Sequence, residues 1–402
     1  MNVEKLRKDF PVLEKRINGK PIIYFDNACM SLRPKQVVDA SNEYYFEYPG
    51  CAGRSAHEFG TKVTEKYDEA RKEISKFIGA RKKEEVVFTR NTTEGLNLVF
   101  NSLDLKKDDI IITADKEHNS VLVPIQVLKE RKGVKHQIIF SKNDQFDLQK
   151  FQDSMNKQVK LVAMAHSTNL DGTTIPDKEI IKIAHDFGAL VMFDAAQSVP
   201  HKEINVKNMD VDFLAFSGHK MLGPSGTGVL YGKYELLEQL NTFMVGGDTV
   251  LFTTYDSHAF LKPPEKFEAG LQNYAGAIGL AEAARYLDKV GRKNIEKHEE
   301  ELNSIITDEL SGIKELHLIG PKDPKLRGGI FSFFIEGMNV HEVALMLNNM
   351  NNVMIRSGQH CVHSWFRAHQ LEGSDRVSLY LYNTKEELEI FVKTLREIMK
   401  LR

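Results

Sequence analysis

The sequence predicts an α/β protein, with a large domain built on a mostly parallel sheet covered by helices and a smaller α+β domain after it. Three observations carry that prediction. From about residue 58 to 275, short apolar runs alternate with stretches of helical periodicity. After "FEAGLQN" (267 to 273) the alternation gives way to a long helical stretch and then a short strand-rich set. At 402 residues and 42% hydrophobic, the chain is long enough for one large core and a second, smaller one.

The elements follow in order. Phe59, Val63, Tyr67, Ala70, Ile74 and Phe77 recur at helical spacing and stop before Gly79, a C-cap glycine. The runs "EVVFT" (85 to 89), "DIIITA" (109 to 114), "HQIIFS" (136 to 141), "VKLVAMAHS" (159 to 167) and "ALVMFD" (189 to 194) read as strands, with helices between several of them. One of those helices opens at Pro176 and closes at Gly188. Val211 to Phe216 reads as a buried strand, and a second apolar strand follows the glycine-rich turn behind it. Residues 274 to 311 read as helical. Beyond them, "GIFSFFIE" (329 to 336), "NVMIR" (352 to 356) and "RVSLYLY" (376 to 382) read as strands, with helices over 339 to 350 and 385 to 400. The last helix is opened by a capping box from Thr384 to Glu387. The expected organisation is an N-terminal segment, 1 to 20, packing with the small domain, a large domain over 21 to 273, and a small domain over 274 to 402.

Composition narrows the function classes. A net charge of −2 gives no support for nucleic-acid binding. The N-terminal stretch mixes charged and apolar residues without the apolar run of a signal peptide or membrane span, so a cytoplasmic, membrane-free protein is expected. Cys29, Cys51 and Cys361 are odd in number, widely spaced and form no CxxC, which argues against a disulfide scaffold or a cysteine zinc site; no metal is expected.

The chemistry centres on "FSGHKMLGPSGTGVLYG" (216 to 232). Lys220 stands at the end of a buried strand, where a partly desolvated amine can have a lowered pKa and act as a nucleophile. Asp194 ends the strand "ALVMFD" at the sheet edge where ligands of open α/β sheets bind. It can serve as a helix N-cap or as the partner of a cation. Gln197 three residues on, with Lys220 two elements later, favours the second role. Thr92 and Thr93 in "RNTTEGLN" stand at a helix start, where hydroxyls and free N–H groups either cap or hold a phosphate; Ser217 and His219 can add donors. His118 follows a strand and either caps or lies against a ring and moves protons.

Taken in order, "DFPVLEKRINGKPIIYFDNA", "TRNTTEGLNLV", "EHNSVLVP", "HSTNLDGT", "FDAAQS", "SGHKMLGPSGTGVLYG", "FEAGLQN", "RSGQHC" and "RVSLYLYNT" resemble the fold-type I pyridoxal-phosphate enzymes. Within them the resemblance is to the class V aminotransferase branch that includes the cysteine desulfurases. The compact connection from Arg356 to Cys361 is similar to that of the SufS-like and selenocysteine lyase group, and polar Gln359, His360 and His363 around Cys361 argue for an accessible thiol.

The resemblance implies pyridoxal 5'-phosphate as cofactor and L-cysteine as substrate. Lys220 would be the Schiff-base lysine and base, and Cys361 the persulfide-forming thiol. Asp194 would pair with the pyridine nitrogen, His118 stack on the ring and Gln197 bond its phenolic oxygen. Thr92, Thr93, Ser217 and His219 would hold the phosphate. Asn169 and Arg376 would hold the substrate carboxylate, and Arg54 matches a further active-site arginine. A homodimer and a protein sulfur acceptor, for sulfur trafficking or iron-sulfur cluster assembly, are also implied. Leu271 departs from the pattern, since relatives often carry a threonine there that reaches the partner subunit's cofactor phosphate. Gly53 also departs, standing where relatives often carry a histidine. So do Trp365 and Phe366, bulky residues after Cys361. A selenocysteine lyase, and a catalytically silent relative kept as a binding partner, are the alternatives; a non-sulfur relative is disfavoured by Cys361.

Overall fold

A computed structural model describes residues 1–401 and gathers the apolar runs of the first half into one seven-stranded sheet. Its strands are β1 (Val86–Thr89), β2 (Ile110–Ala114), β3 (Lys135–Ile139), β4 (Val159–Ala165), β5 (Leu190–Asp194), β6 (Phe213–Ser217) and β7 (Gly228–Gly232), in the order β1-β7-β6-β5-β4-β2-β3. Strands β2 to β6 pair in parallel, and β7 runs antiparallel between β1 and β6. The mostly parallel sheet expected from the sequence is therefore the one observed.

These strands read as continuous apolar runs because both faces are covered. Alternate residues go to opposite cores. Val162, Met164, Val191, Phe193, Leu214 and Phe216 enter one, and Leu161, Ala163, Met192, Phe213 and Ala215 enter the other. Helices α1 (Lys35–Glu47) and α2 (Glu58–Phe77) lie on the first side, and α3 (Thr92–Ser102) and α4 (Asn119–Lys132) pack together on the second.

The helical stretch predicted over 274 to 311 is two helices, α5 (Tyr274–Val290) and α6 (Arg292–Leu310). Gly291, with φ +87°, breaks them apart. Helix α5 packs against α1 and α2, and its Leu280, Ala283, Ala284 and Leu287 join the large core. The change of pattern at 273 thus marks the entry to a helix whose apolar partners lie in the large unit.

The smaller unit is an antiparallel sheet of β8 (Leu316–Ile319), β9 (Ile330–Ile335), β10 (Arg356–Gly358) and β11 (Ser374–Ser378), in the order β8-β9-β11-β10. Helices α6, α7 (Val340–Asn351) and α8 (Lys385–Met399) share its core through Leu302, Val343, Leu347 and Phe391. Two predicted strands differ. "NVMIR" splits, because Val353–Met354 pair with Ile23–Tyr24 while Arg356 opens β10. "RVSLYLY" leaves the ladder after Ser378, because Tyr380 and Tyr382 turn away into the large core. There the Tyr380 hydroxyl donates to the Pro200 carbonyl at 3.1 Å, and the Tyr382 hydroxyl meets the Asn27 side chain. The N-terminal segment touches both units: Phe10 packs on Tyr382, and Arg7 pairs with Glu387 at 2.8 Å. No helix among the described residues is long and apolar enough to cross a membrane.

Candidate active site

The carboxyl ends of β1, β2, β4, β5 and β6 face the same edge of the sheet, and that edge opens into a cavity of about 240 Å³. Of the residues singled out in the sequence, Thr92, Thr93, His118, Asn169, Asp194, Gln197, Ser217, His219, Lys220, Cys361 and Arg376 all line it. Arg54 is not among the residues that line this chain's cavity and forms an ion pair with Asp248.

One end of the cavity is a nest of donors. Asn91 caps α3, accepting from the Glu94 N–H at 3.0 Å, so the first turn of that helix points at the cavity. The Thr92 N–H donates to Ser217 Oγ at 2.9 Å, and the two hydroxyls meet at 2.6 Å. Thr93 Oγ1 and His118 Nδ1 both meet Ser120 Oγ, at 2.7 and 2.9 Å. A β-carbon at Gly228 would stand 2.6 Å from Asn91 Cα, so only glycine lets the start of β7 approach this cap. Hydroxyls, N–H groups and a helix start in one place form a set that suits a phosphate dianion. Neutral His219 lies beside it, its ring pushed down to about 4 by burial and by Lys220 and Arg33.

The middle of the cavity holds the buried charges. Asp194 is 6% exposed and accepts the Ala196 N–H at 3.0 Å on one oxygen. Burial raises its pKa, against the pull of Lys220 and that N–H. Lys220 sits on a tight turn after β6, and the surface it retains is cavity wall. Desolvation pushes its ammonium down, while Asp194 pulls the other way. His118 caps α4 and is pushed down to about 3, first by burial and then by Lys220, Arg376 and His363, which makes it a neutral proton acceptor. Gln197 donates to the Ala28 carbonyl at 2.7 Å.

The small unit closes the far side. Arg376 is buried, donates to the Asn169 carbonyl at 2.8 Å and lies 3.6 Å from Asp26. Its Nε has no partner. The Asn169 amide donates to the His360 carbonyl at 2.7 Å, and the Asn119 N–H to the Cys361 carbonyl at 2.8 Å. His360 and Cys361 carry φ values of +48° and +60°, strained for non-glycine residues, and those two bonds hold the strained turn with the exposed Cys361 thiol on the cavity.

The sequence reading gave no site role to Ser120, Arg356, His360 and Cys29, which also line the cavity, or to Asp26, which stands beside Arg376. Ser120 stood in plain view two residues after His118. Arg356 and Cys29 carry no local signal: Cys29 follows a turn that becomes cavity wall only because the Ala28 N–H is fixed by Ser378 Oγ at 2.9 Å, from the other unit. Outside the cavity, "FEAG" has a structural task. Glu268 accepts from Arg71 at 2.7 and 2.8 Å, from the Phe88 N–H at 2.7 Å and from the Tyr67 hydroxyl at 2.9 Å, which anchors the segment to β1 and α2.

A doubly covered sheet with a lysine, a buried aspartate and a phosphate-suited helix start at its carboxyl edge defines a class. The chain belongs to the class-V aminotransferase family, whose profile matches residues 23–391. Among curated proteins it is 39% identical over 401 residues to a probable cysteine desulfurase of Synechocystis sp., covering 98% of this chain and 95% of that one. It is 37% identical to another probable cysteine desulfurase, from Halalkalibacterium halodurans, covering 99% and 98%. Among solved structures it resembles an apo cysteine desulfurase from Thermococcus onnurineus NA1, with a TM-score of 0.94, 40% identity and coverage of 99% and 98%.

Proposed function

We propose that this chain is a pyridoxal-phosphate-dependent cysteine desulfurase that converts L-cysteine to L-alanine and keeps the sulfur as a persulfide on Cys361. The observation that carries this reading is the presence of the Lys220 amine and the Cys361 thiol on one cavity, with Asp194 and Arg376 between the two units. A desulfurase needs both an amine and a thiol at one substrate, and relatives named cysteine desulfurase match nearly the whole chain.

When bound, the cofactor supplies an electron sink that lets the substrate α-carbon lose its proton. The residues then have separable tasks. Thr92, Thr93, Ser217 and His219 would hold the phosphate, and buried Asp194 would pair with a cationic ring nitrogen. His118 and Gln197 would complete the cradle for the ring, with Gln197 held at the Ala28 carbonyl. Arg376 grips the substrate carboxylate with a fork already fixed by Asn169 and Asp26. Lys220, lowered by desolvation, takes the α-proton. Cys361 would attack the substrate sulfur as a thiolate: the sulfur–sulfur bond forms as the carbon–sulfur bond breaks, the electron pair stays with the substrate carbon, and protonation of that carbon lets alanine leave.

We also propose a homodimer. Met244, Val245, Leu251, Phe252, Tyr255 and Leu271 are exposed along one stretch of chain, with Tyr255 fully so, and a second copy is the covering that such a patch suits. A protein sulfur acceptor and a cytoplasmic setting complete the reading.

The test is to load the protein with pyridoxal phosphate, add L-cysteine with a reductant, and measure sulfide and alanine. Equal amounts of both are expected. Failure to bind the cofactor at all, or faster turnover of selenocysteine with none of cysteine, would refute the assignment.

A further inference from the structure

The cavity contains a second thiol. Cys29 lines the same cavity as Cys361 and Lys220, whereas Cys51 lies elsewhere, 3.9 Å from the Tyr274 hydroxyl. Cys29 is fixed there: its N–H donates to the Asp26 carbonyl at 3.2 Å, and the residue before it is held at both its N–H and its carbonyl. Arg356 Nη1 donates to Cys29 Sγ at 3.3 Å, so a guanidinium is already directed at this sulfur. Arg376, buried with its Nε unpartnered, faces the same space. Cys361 is placed by the Asn119 N–H on its own carbonyl, and the Asn169 amide holds the carbonyl of His360 before it. Two positioned thiols on one small cavity, one of them served by a cation, go beyond what a single persulfide carrier requires.

We propose that Cys29 is a second sulfur-carrying residue of this site and takes the outer sulfur of the Cys361 persulfide. The inference rests on the desulfurase reading above. The Cys29 thiolate attacks the outer sulfur, a new sulfur–sulfur bond forms to Cys29, and the bond to Cys361 breaks with its electron pair leaving on the Cys361 sulfur. The proton lost by Cys29 ends on Cys361. One thiol and one persulfide become one persulfide and one thiol, so no oxidant or reductant enters. Arg356 stabilises first the attacking thiolate and then the persulfide anion. The exchange clears Cys361 for another L-cysteine before any external acceptor arrives, and the filled chain holds a sulfur on each of the two residues.

The experiment uses the full chain loaded with pyridoxal phosphate, a brief exposure to two equivalents of L-cysteine per chain and no other thiol, quenched by alkylation. Alanine per chain is counted, and peptide mass mapping places the added sulfur. Wild type should release two alanines per chain and carry sulfur on both Cys29 and Cys361. Cys29→Ser should stop at half that alanine with sulfur on Cys361 alone, and Cys51→Ser should match wild type. Wild type that stops at one alanine, or stacks both sulfurs on the Cys361 peptide, overturns the proposal. So does a Cys29–Cys361 disulfide formed with release of sulfide, because the attack would then be on the inner sulfur. Absence of any alanine from wild type defeats the desulfurase reading itself, an outcome distinct from these. Should Cys29→Ser fail to fold, dibromobimane, which fluoresces when it bridges neighbouring thiols, tests wild type directly. A bridge mapped to Cys29 and Cys361 is expected, and its absence overturns the proposal.

Discussion

Asp375 is predicted to cost this protein stability, and removing it should make the fold more stable. It lies on β11 beside Arg376, and the alternation of a strand sends it to the opposite face, where Val377 and Phe333 form the core of the small unit. It is fully buried, and neither carboxylate oxygen has a partner. Burial alone pushes it up to about 8 from an ordinary value of 3.8. A raised aspartate is protonated in the folded state while the unfolded chain is already ionised, so the unfolded state binds fewer protons and stability falls as pH rises from about 4 to about 8. Each pH unit in that window is worth about 1.4 kcal/mol, which by neutral pH sums to at most about 4 kcal/mol. Even the neutral carboxyl, buried without a hydrogen bond, costs about 1–3 kcal/mol. Asp375→Val, which suits a strand and the apolar neighbours, should therefore stabilise by about 2–4 kcal/mol near neutrality. The assay is urea unfolding of both proteins, at equal cofactor loading, across the pH range. The difference between them should widen from about pH 4 to about pH 8 and then level off. Parallel pH profiles for variant and wild type would show that Asp375 is ionised in the fold or reaches a partner, and would sink the reasoning.

Four further outcomes are expected. Lys220→Ala should lose the covalently held cofactor, read as the disappearance of borohydride-fixed mass from the 217 to 232 peptide; its persistence would mean another amine is the carrier. Asp194→Ala should slow alanine formation on the order of 10²–10⁴-fold, the equivalent of about 3–5 kcal/mol for breaking a buried charge pair, and a native rate would reduce Asp194 to a structural role. Glu268→Gln breaks the buried pair with Arg71 and should cost about 3–5 kcal/mol in urea unfolding; a loss under about 1 kcal/mol would place the anchoring of β1 elsewhere. Leu271, 71% exposed in the single chain, should be covered in the dimer, so Leu271→Asp should weaken self-association at least about tenfold by sedimentation, and an unchanged dimer would put the interface on another face.

What the sequence made legible follows from how far each signal has to reach. Strands β2, β4, β5 and β6 were readable because both faces are dry, which forces an apolar run whatever the partner. Lys220, Asp194, His118 and the Thr92 turn were readable because the end of such a strand is where polar residues need a reason, and their order along the chain matched a family pattern. The apolar run past Ser378 misled because Tyr380 and Tyr382 are as buried as strand residues, but against Pro200 and Asn27 in the other unit. Arg54 lies outside this chain's cavity lining, and its motif says nothing of Asp248, which pairs with it. Cys29 was the least legible of all. Its neighbours give it no chemistry, and it gains its place only when Ser378 bonds Ala28, Gln197 bonds the same residue from the large unit, and Arg356 comes round from β10. Three contacts, each spanning more than 150 residues of chain, convert a cysteine in a turn into a cavity thiol. Two of these contacts, Ser378 to Ala28 and Arg356 to Cys29, tie the two units at the cavity rim, so a change at Ser378 should move Cys29 and Arg376 together. Ser378→Ala, which removes the bond to the Ala28 N–H, should thus speed alkylation of Cys29 in the free protein while raising the KM for L-cysteine. Movement of one without the other would show that the two walls are positioned independently.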